Sequence, residues 1–251
     1  MKIIDGFIFY NELELLKARL HELYNIVDYF ILVEGTLTFT GNKKQLYYNE
    51  NKSLFSKYND KIIHIIVDDF PITKNPWDRE YHQRRSIAKG IAKLTLENDD
   101  IIIISDVDEI PKFKTISDIK NNITILNDNS IYSLVMKLFY YTLDWTVDRK
   151  WNHVKALTYK KYSTINDPET IRMYSTYIPI HNSGWHISYY GDTKFIINKL
   201  ESFSEQQDNN TNNKNISYLY DCMANGVLHF NREKLIKNKD VNDIPSYFLD
   251  S

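Results

Sequence analysis

Cysteine is nearly absent from this chain. Cys222 stands alone among 251 residues, which excludes a disulfide framework and an all-cysteine zinc site within one chain. Its thiol reads as a small buried hydrophobe rather than a nucleophile. An excess of one charge is missing as well. The 31 basic and 33 acidic residues leave a net of −2, so no nucleic-acid partner held by bulk positive charge is expected. No apolar run nears the ~20 residues that span a bilayer. The N-terminal stretch MKIIDGFIFYNE meets an acid at Asp5 and carries no signal-peptide cleavage pattern. The expectation is a soluble, cytoplasmic chain without signal peptide or membrane anchor. Glycine (7) and proline (6) are scarce against abundant Asn, Lys, Ile and Tyr, a bias that carries little chemistry by itself. Neither an internal repeat nor a clean domain boundary interrupts the chain, and its length suits one large domain.

What the chain has in quantity is strand and helix in alternation. Residues 2–9 (KIIDGFIF), 28–33 (DYFILV) and 62–67 (IIHIIV) are apolar runs of strand length. Leu13, Leu16, Leu20 and Leu23 recur at spacings of three and four, which predicts an amphipathic helix after the first strand. Residues 35–60 are polar and irregular. Asp78 is read as the N-cap of a helix reaching to about Leu96, with Ile87, Ala88, Ile91 and Leu94 as its buried stripe. Residues 101–104 (IIII) are β-branched throughout and of strand length. Continuously apolar strands joined by helices predict an α/β fold, a Rossmann-like, mostly parallel central sheet flanked by helices. In the second half, 131–143 predicts one long strand, 154–162 and 170–180 further extended segments, and Thr193–Phe203 a helix. The Asn-rich stretch 205–215 (EQQDNNTNNKN) predicts a mobile loop. Tyr247, Phe248 and Leu249 are expected to dock on the body.

The chemistry concentrates in 101–111, IIIISDVDEIP. A strand this apolar belongs in the middle of its sheet, and central strands of α/β sheets deliver functional groups at their carboxyl ends. Asp106, Asp108 and Glu109 follow at once, and acids so close repel one another unless a cation neutralises them. In an extended or turning segment Asp106 and Asp108 project to the same side. Their oxygens suit a hard divalent ion, with room left for water and phosphate oxygens. Two enzyme classes place D-x-D after a hydrophobic strand. Phosphatases of the haloacid-dehalogenase type use the first aspartate as nucleophile, usually near the N-terminus, with Thr or Val two residues after the second; here that position is Ile110. Nucleotide-sugar glycosyltransferases of the GT-A type place the motif after a Rossmann-like sheet, and its position here favours them. A metal-dependent phosphatase using Asp106 and Asp108, and a glycan-binding module without catalysis, are the alternatives.

Six blocks, in order, resemble glycosyltransferase family 17, the β-1,4-mannosyl-glycoprotein β-1,4-N-acetylglucosaminyltransferases. They are ELELLKARLHEL (12–23), VDYFILVEGTLTFTG (27–41), VDDFP (67–71), Trp77 to Arg84, DVDEIP (106–111) and SGWHIS (183–188), with Lys199-Leu200 following. The resemblance implies a GT-A fold with a smaller mixed sheet on the acceptor side. Residues 1–111 would form the nucleotide-sugar half of a single domain and 112–251 the acceptor half. It also implies a UDP-GlcNAc donor, Mn²⁺ or Mg²⁺, and inversion at the anomeric carbon, with GlcNAc passed by a β-1,4 linkage to a β-linked mannose of a glycan or glycoprotein.

The same resemblance assigns Asp106 and Asp108 to the metal–diphosphate motif, Glu34 to the nucleoside, and Arg84 and Lys199 to the diphosphate. Glu80 and Arg84, four residues apart, equally suit an internal ion pair. His186 is a third metal ligand or a core histidine. An inverting transferase needs a carboxylate to take the proton from the acceptor hydroxyl. Glu109 and Asp192 are the candidates, although Asp192 also suits a helix cap. Tyr141, Trp145 and Trp185 are expected to stack on the acceptor sugar. The missing anchor departs from the animal enzymes and suits a bacterial, viral or protist host with a different glycan.

Overall fold

Four consecutive isoleucines can all be buried only if both faces of their strand are covered. Ile101 and Ile103 join a cluster with Phe7, Leu16, Leu20 and Phe30, whereas Ile102 and Ile104 join Ile4, Ile31, Ile87 and Ile91 on the opposite face. Each fully buried isoleucine contributes roughly 2 kcal/mol, so this strand anchors the sheet. The computed structural model describes residues 1–121 and 126–249.

The first half runs β1 (Ile3–Phe9), α1 (Leu13–Leu23), β2 (Tyr29–Gly35), α2 (Tyr47–Glu50), β3 (Ile62–Val67), α3 (Pro76–Arg85), α4 (Ile87–Ile91), β4 (Ile101–Asp106), β5 (Glu109–Pro111) and α5 (Phe113–Lys120). The second continues with β6 (Tyr132–Leu134), β7 (Lys137–Tyr140), β8 (Trp145–Thr146), β9 (Lys155–Thr158), α6 (Tyr159–Ile165), α7 (Pro168–Arg172) and β10 (Ile178–Ile180). It closes with β11 (Gly184–Ser188), α8 (Thr193–Ser202), α9 (Ile216–Asn225) and β12 (Ile236–Lys237). A seven-stranded sheet has the order β10-β6-β9-β4-β1-β2-β3, and a five-stranded one the order β12-β8-β7-β11-β5. Strands β4, β1, β2 and β3 are parallel, and β9 runs against them. The smaller sheet mixes parallel β7–β11 with antiparallel β5–β11 and β7–β8 pairs. This is the α/β architecture expected, a mostly parallel central sheet with a smaller mixed one.

The chain winds outward from β1 to β2 and β3, then returns to place β4 on the other side of β1. Ligand crevices of open α/β sheets lie at such a reversal, at the carboxyl ends of the strands. Ile8 of β1 lies beside Asp106 of β4 at that end.

Several elements differ from the sequence reading. The helix expected from Asp78 to Leu96 starts earlier, because Asn75 caps it through the Trp77 N–H and Pro76 takes the first position, where its missing N–H costs nothing. It breaks at Ser86, whose hydroxyl bonds back to the His82 carbonyl, and α4 ends at Ile91. Residues 131–143 are two strands in different sheets, because the chain leaves the large sheet at Val135 and Met136. The segment 170–180 begins inside α7, capped by Asp167 and opened by Pro168. Residues 154–162 likewise turn helical after Thr158. The polar stretch 35–60 holds α2 and a 3-10 turn over Lys52–Tyr58, and 205–215 holds another over Gln206–Asp208. Tyr247 and Phe248 pack on the cluster of Leu15, Ala18, Ile110 and Trp185, but Leu249 is exposed. Cys222 is buried, as expected. Among the described residues no helix is long and apolar enough to cross a membrane.

Candidate active site

The turn that carries the acidic motif is fixed from beneath. Arg19 of α1 donates to the carbonyl oxygens of Asp106 (3.0 Å) and Glu109 (2.7 Å) and to the Ser105 hydroxyl (2.6 Å). The turn opens into a cavity of about 770 Å³ lined by the ends of β1 and β4, by α3, α7, β7, β11 and α8, and by the segment from Phe203 to Asp208. Asp106 and Asp108 both line it.

Each aspartate is gripped by its own cations. Asp106 Oδ1 lies 3.1 Å from Arg84 Nη2, and its Oδ2 lies 2.8 Å from Arg172 Nη2. Asp108 Oδ2 accepts from Lys199 Nζ at 3.1 Å and lies 3.6 Å from His186 Nε2. The consequences differ. Burial outweighs both arginines at Asp106 and, helped by Glu109 and Glu80, pushes its carboxyl up to about 6. Burial opposes ionisation of Asp108 too, yet Lys199 and His186 together hold it well below the usual carboxylate range. Burial opposes the charge of Lys199, but Asp108, with Glu12 and Asp106, raises it nonetheless.

The ion pairs of this cluster join five carboxylates, Glu80, Asp106, Asp108, Glu109 and Glu169, to three cations, Arg84, Arg172 and Lys199. An excess of two negative charges remains in a mostly buried site. Glu169 Oε1 and His186 Nδ1 are buried without a hydrogen-bond partner among the described residues. Uncompensated negative charge and carboxylate oxygens fit a hard divalent cation. Among the described residues no three His, Cys, Asp or Glu side chains are gathered tightly enough to hold a metal unaided. His186 therefore does not close a ready-made shell with the two aspartates, and a cation here would draw further ligands from water or phosphate.

Other expected site residues fall elsewhere. Glu34 is wholly buried and does not line the cavity; it accepts from the backbone N–H groups of Tyr48 (2.9 Å) and Asn49 (3.3 Å), with His64 at 3.1 Å, and so anchors α2. Glu109 is also wholly buried and absent from the lining. Its Oε2 accepts from Arg172 Nη1 and the Asp106 N–H, and its Oε1 from Arg172 Nη2 and the Trp151 indole. Burial opposes its charge, but Arg172 outweighs burial and holds it down to about 2. A carboxylate so committed is a poor proton acceptor. Asp192 caps α8 through the Phe195 N–H (2.8 Å), away from the cavity. Arg84 lines the cavity, and each of its three side-chain nitrogens donates to a carboxylate, Glu80, Asp106 or Glu169. Lys199 lines it and is engaged by Asp108.

None of the three expected acceptor aromatics reaches the cavity. Tyr141 is buried with its hydroxyl 2.8 Å from His229 Nδ1. Trp145 packs on Gly226, and Trp185 donates to Asp243 (3.0 Å). The aromatic wall is made instead by Tyr140, Trp151, Tyr189 and Phe230. Trp151 lies between His153 and His186, with ring centroids 4.5 and 4.2 Å away.

The sequence profile of Glycosyltransferase family 17 matches residues 1–227, through the large sheet, all of the smaller one but β12, and every cavity element up to Asp208. The chain belongs to glycosyltransferase family 17. Relatives named beta-1,4-mannosyl-glycoprotein 4-beta-N-acetylglucosaminyltransferase from Rattus norvegicus and Homo sapiens are each 30% identical to it over 116 residues, 44% of this chain and 22% of theirs. The matched stretch is thus about a fifth of the length of those relatives. A mannosyltransferase from Pyrobaculum calidifontis, solved with GDP-Man and Mn²⁺, aligns over 80% of this chain and 61% of its own at 10% identity, with a TM-score of 0.46.

In this family 17 chain the residues missed from sequence are Arg172, Trp151, Glu169 and the pair Glu205 and Asp208, all at the cavity. Arg172 and Glu169 sit on α7, which the dipeptide Asp167-Pro168 announces as a helix start. Trp151 has no pattern that singles it out. Glu205 and Asp208 lie at the head of a polar low-complexity stretch.

Proposed function

We propose that the chain is a metal-dependent, inverting glycosyltransferase that moves GlcNAc from UDP-GlcNAc onto a β-linked mannose of a glycan acceptor by a β-1,4 linkage. The observation that carries this reading is the pair Asp106 and Asp108, both lining one cavity at the carboxyl end of β4 in a family 17 chain, amid an excess of negative charge. Residues 1–111 supply the nucleotide side, with Tyr10 just after β1 and Phe39 in the loop after β2 both lining the cavity, and 112–251 supply the acceptor side.

A divalent cation held by Asp106 and Asp108, with His186 beside them, would neutralise the charge that grows on the departing diphosphate. The remaining groups prepare that site. Arg84 and Arg172 fix Asp106, and Lys199 fixes Asp108, so the aspartates need no reorganisation as charge develops. Glu109 braces the turn by tying Arg172 and Trp151 to the Asp106 N–H. Tyr140, Trp151, Tyr189 and Phe230 offer apolar faces against which the acceptor sugar stacks.

A thermal-shift panel of UDP-, GDP- and CDP-sugars, with and without Mn²⁺, tests this reading. Stabilisation by UDP-GlcNAc that requires the metal is expected. Stabilisation by a different nucleotide sugar would reassign the donor, and phosphate release from simple esters would favour a phosphatase instead.

A further inference from the structure

Seven carboxylates line the cavity, and five of them are already committed. Glu12 accepts from the backbone N–H groups of Tyr10 and Asn11 (3.2 and 3.0 Å), and Glu80, Asp106, Asp108 and Glu169 each pair with an arginine or lysine. A carboxylate held this way already spends its oxygens on a partner and is not free to turn to an acceptor hydroxyl. Glu205 and Asp208 are different: among the described residues their side chains accept no hydrogen bond and pair with no cation. They follow α8, the helix that carries Lys199 to Asp108.

We propose that Glu205 is the general base of the transfer. The assignment rests on the reading above of an inverting transferase. The Glu205 carboxylate takes the proton of the attacking acceptor hydroxyl as that oxygen bonds to the anomeric carbon. The bond from that carbon to the diphosphate breaks, its electron pair leaving with the diphosphate, and the proton passes from Glu205 to solvent before the next turnover.

The electrostatic surroundings suit the role. Glu205 lines the cavity, and the charges that act on it are Asp208 from the following turn, Glu80 from α3, Lys199 from α8 and His186 from β11. Crowding by the cavity walls, then Asp208 and Glu80, raise its carboxyl above the ordinary glutamate value, with Lys199 and His186 opposing. A base works best when its proton affinity approaches the operating pH. Asp208, which also lines the cavity, is raised by burial.

The test compares wild type with Glu205→Gln, Glu205→Asp and Asp208→Asn, read as UDP released from UDP-GlcNAc with Mn²⁺ and methyl β-D-mannopyranoside. Glu205→Gln is expected to lower the rate by about 10²–10⁴-fold, with Mn²⁺-dependent UDP affinity and thermal midpoint unchanged, since the side chain makes no bond to lose. Glu205→Asp should keep part of the rate. Asp208→Asn should keep most of it, while moving the acidic limb of the pH–rate profile toward lower pH. That limb should be present in wild type and absent from Glu205→Gln. A Glu205→Gln enzyme as fast as wild type, with its acidic limb intact, would overturn the base assignment and leave the transferase reading standing. A wild type that binds UDP with Mn²⁺ but releases none from the donor would overturn both.

Discussion

Arg19 and Asp5, both wholly buried, meet side-on: Arg19 Nε lies 2.8 Å from Asp5 Oδ2, and its Nη2 lies 2.5 Å from Oδ1. The pair joins α1 to β1, and the guanidinium also holds the carbonyls under the acidic turn. A buried pair adds little net stability over an apolar replacement, but removing one partner strands the other. Arg19→Met leaves Asp5 uncompensated and the carbonyls of Asp106 and Glu109 without their donor. It should cost about 3–5 kcal/mol in urea unfolding. An unchanged midpoint would mean that the turn is fixed by something else.

Asp106→Asn and Asp108→Asn should each lower transfer by about 10²-fold or more, yet they should differ in stability. Asp106 sits in surplus negative charge, so its neutralisation relieves repulsion and Arg84 keeps Glu80 and Glu169. Asp108 is the hydrogen-bonded carboxylate of the buried Lys199, and its loss strands that ammonium. Thermal unfolding should therefore rank Asp108→Asn well below Asp106→Asn. The reverse order would contradict the charge balance drawn here.

His229 gives the fold an acid sensitivity. Burial lowers its imidazole from 6.5 to about 4. Between those values the unfolded chain binds a proton that the folded one refuses, so stability falls as pH drops from 6.5 toward 4. The loss approaches on the order of 3 kcal/mol for so buried a group. His153, lowered to about 4 by burial and Arg172, acts in the same direction. Denaturation from pH 7 to pH 4 should show a shallower slope for His229→Gln than for wild type. Identical slopes would remove His229 from the account.

Gly184 lets two strands approach where a side chain cannot fit. A Cβ there would fall 2.3 Å from the Ile110 carbonyl oxygen and 2.9 Å from Pro111 Cα, both backbone atoms. The contact sets β11 against β5 and brings His186 opposite Glu109. Gly184→Ala should destabilise by ~2 kcal/mol or more and reduce transfer by displacing His186. A variant with wild-type melting and turnover would show that the strands can part without consequence.

Periodicity and apolar runs made the large sheet legible because its strands are buried on both faces, and IIII followed by DVDE marked the strand whose end matters. The acidic pair needed no more than that. Glu34, Glu109 and Asp192 lie off the cavity lining for a common reason: a carboxylate at a strand or helix end binds protein N–H groups as readily as it binds ligand, here those of Tyr48, Arg172 and Phe195. Tyr141 follows Tyr140, the last residue of β7, and that single step along the chain separates an aromatic that lines the cavity from one that does not. Arg172 was hidden because 170–180 reads as extended once the Asp167-Pro168 start is overlooked. Glu205 was hidden in a stretch whose composition suggests no structure.

Calorimetric titration of UDP into wild type and Asp108→Asn, with and without Mn²⁺, addresses the central claim most directly, that the carboxylates at the tip of β4 seat a cation for the diphosphate. Wild type should bind UDP only weakly until Mn²⁺ is present, and the variant should gain nothing from the metal. Equal UDP affinity with and without Mn²⁺ in wild type, or an undiminished metal effect in Asp108→Asn, would contradict it.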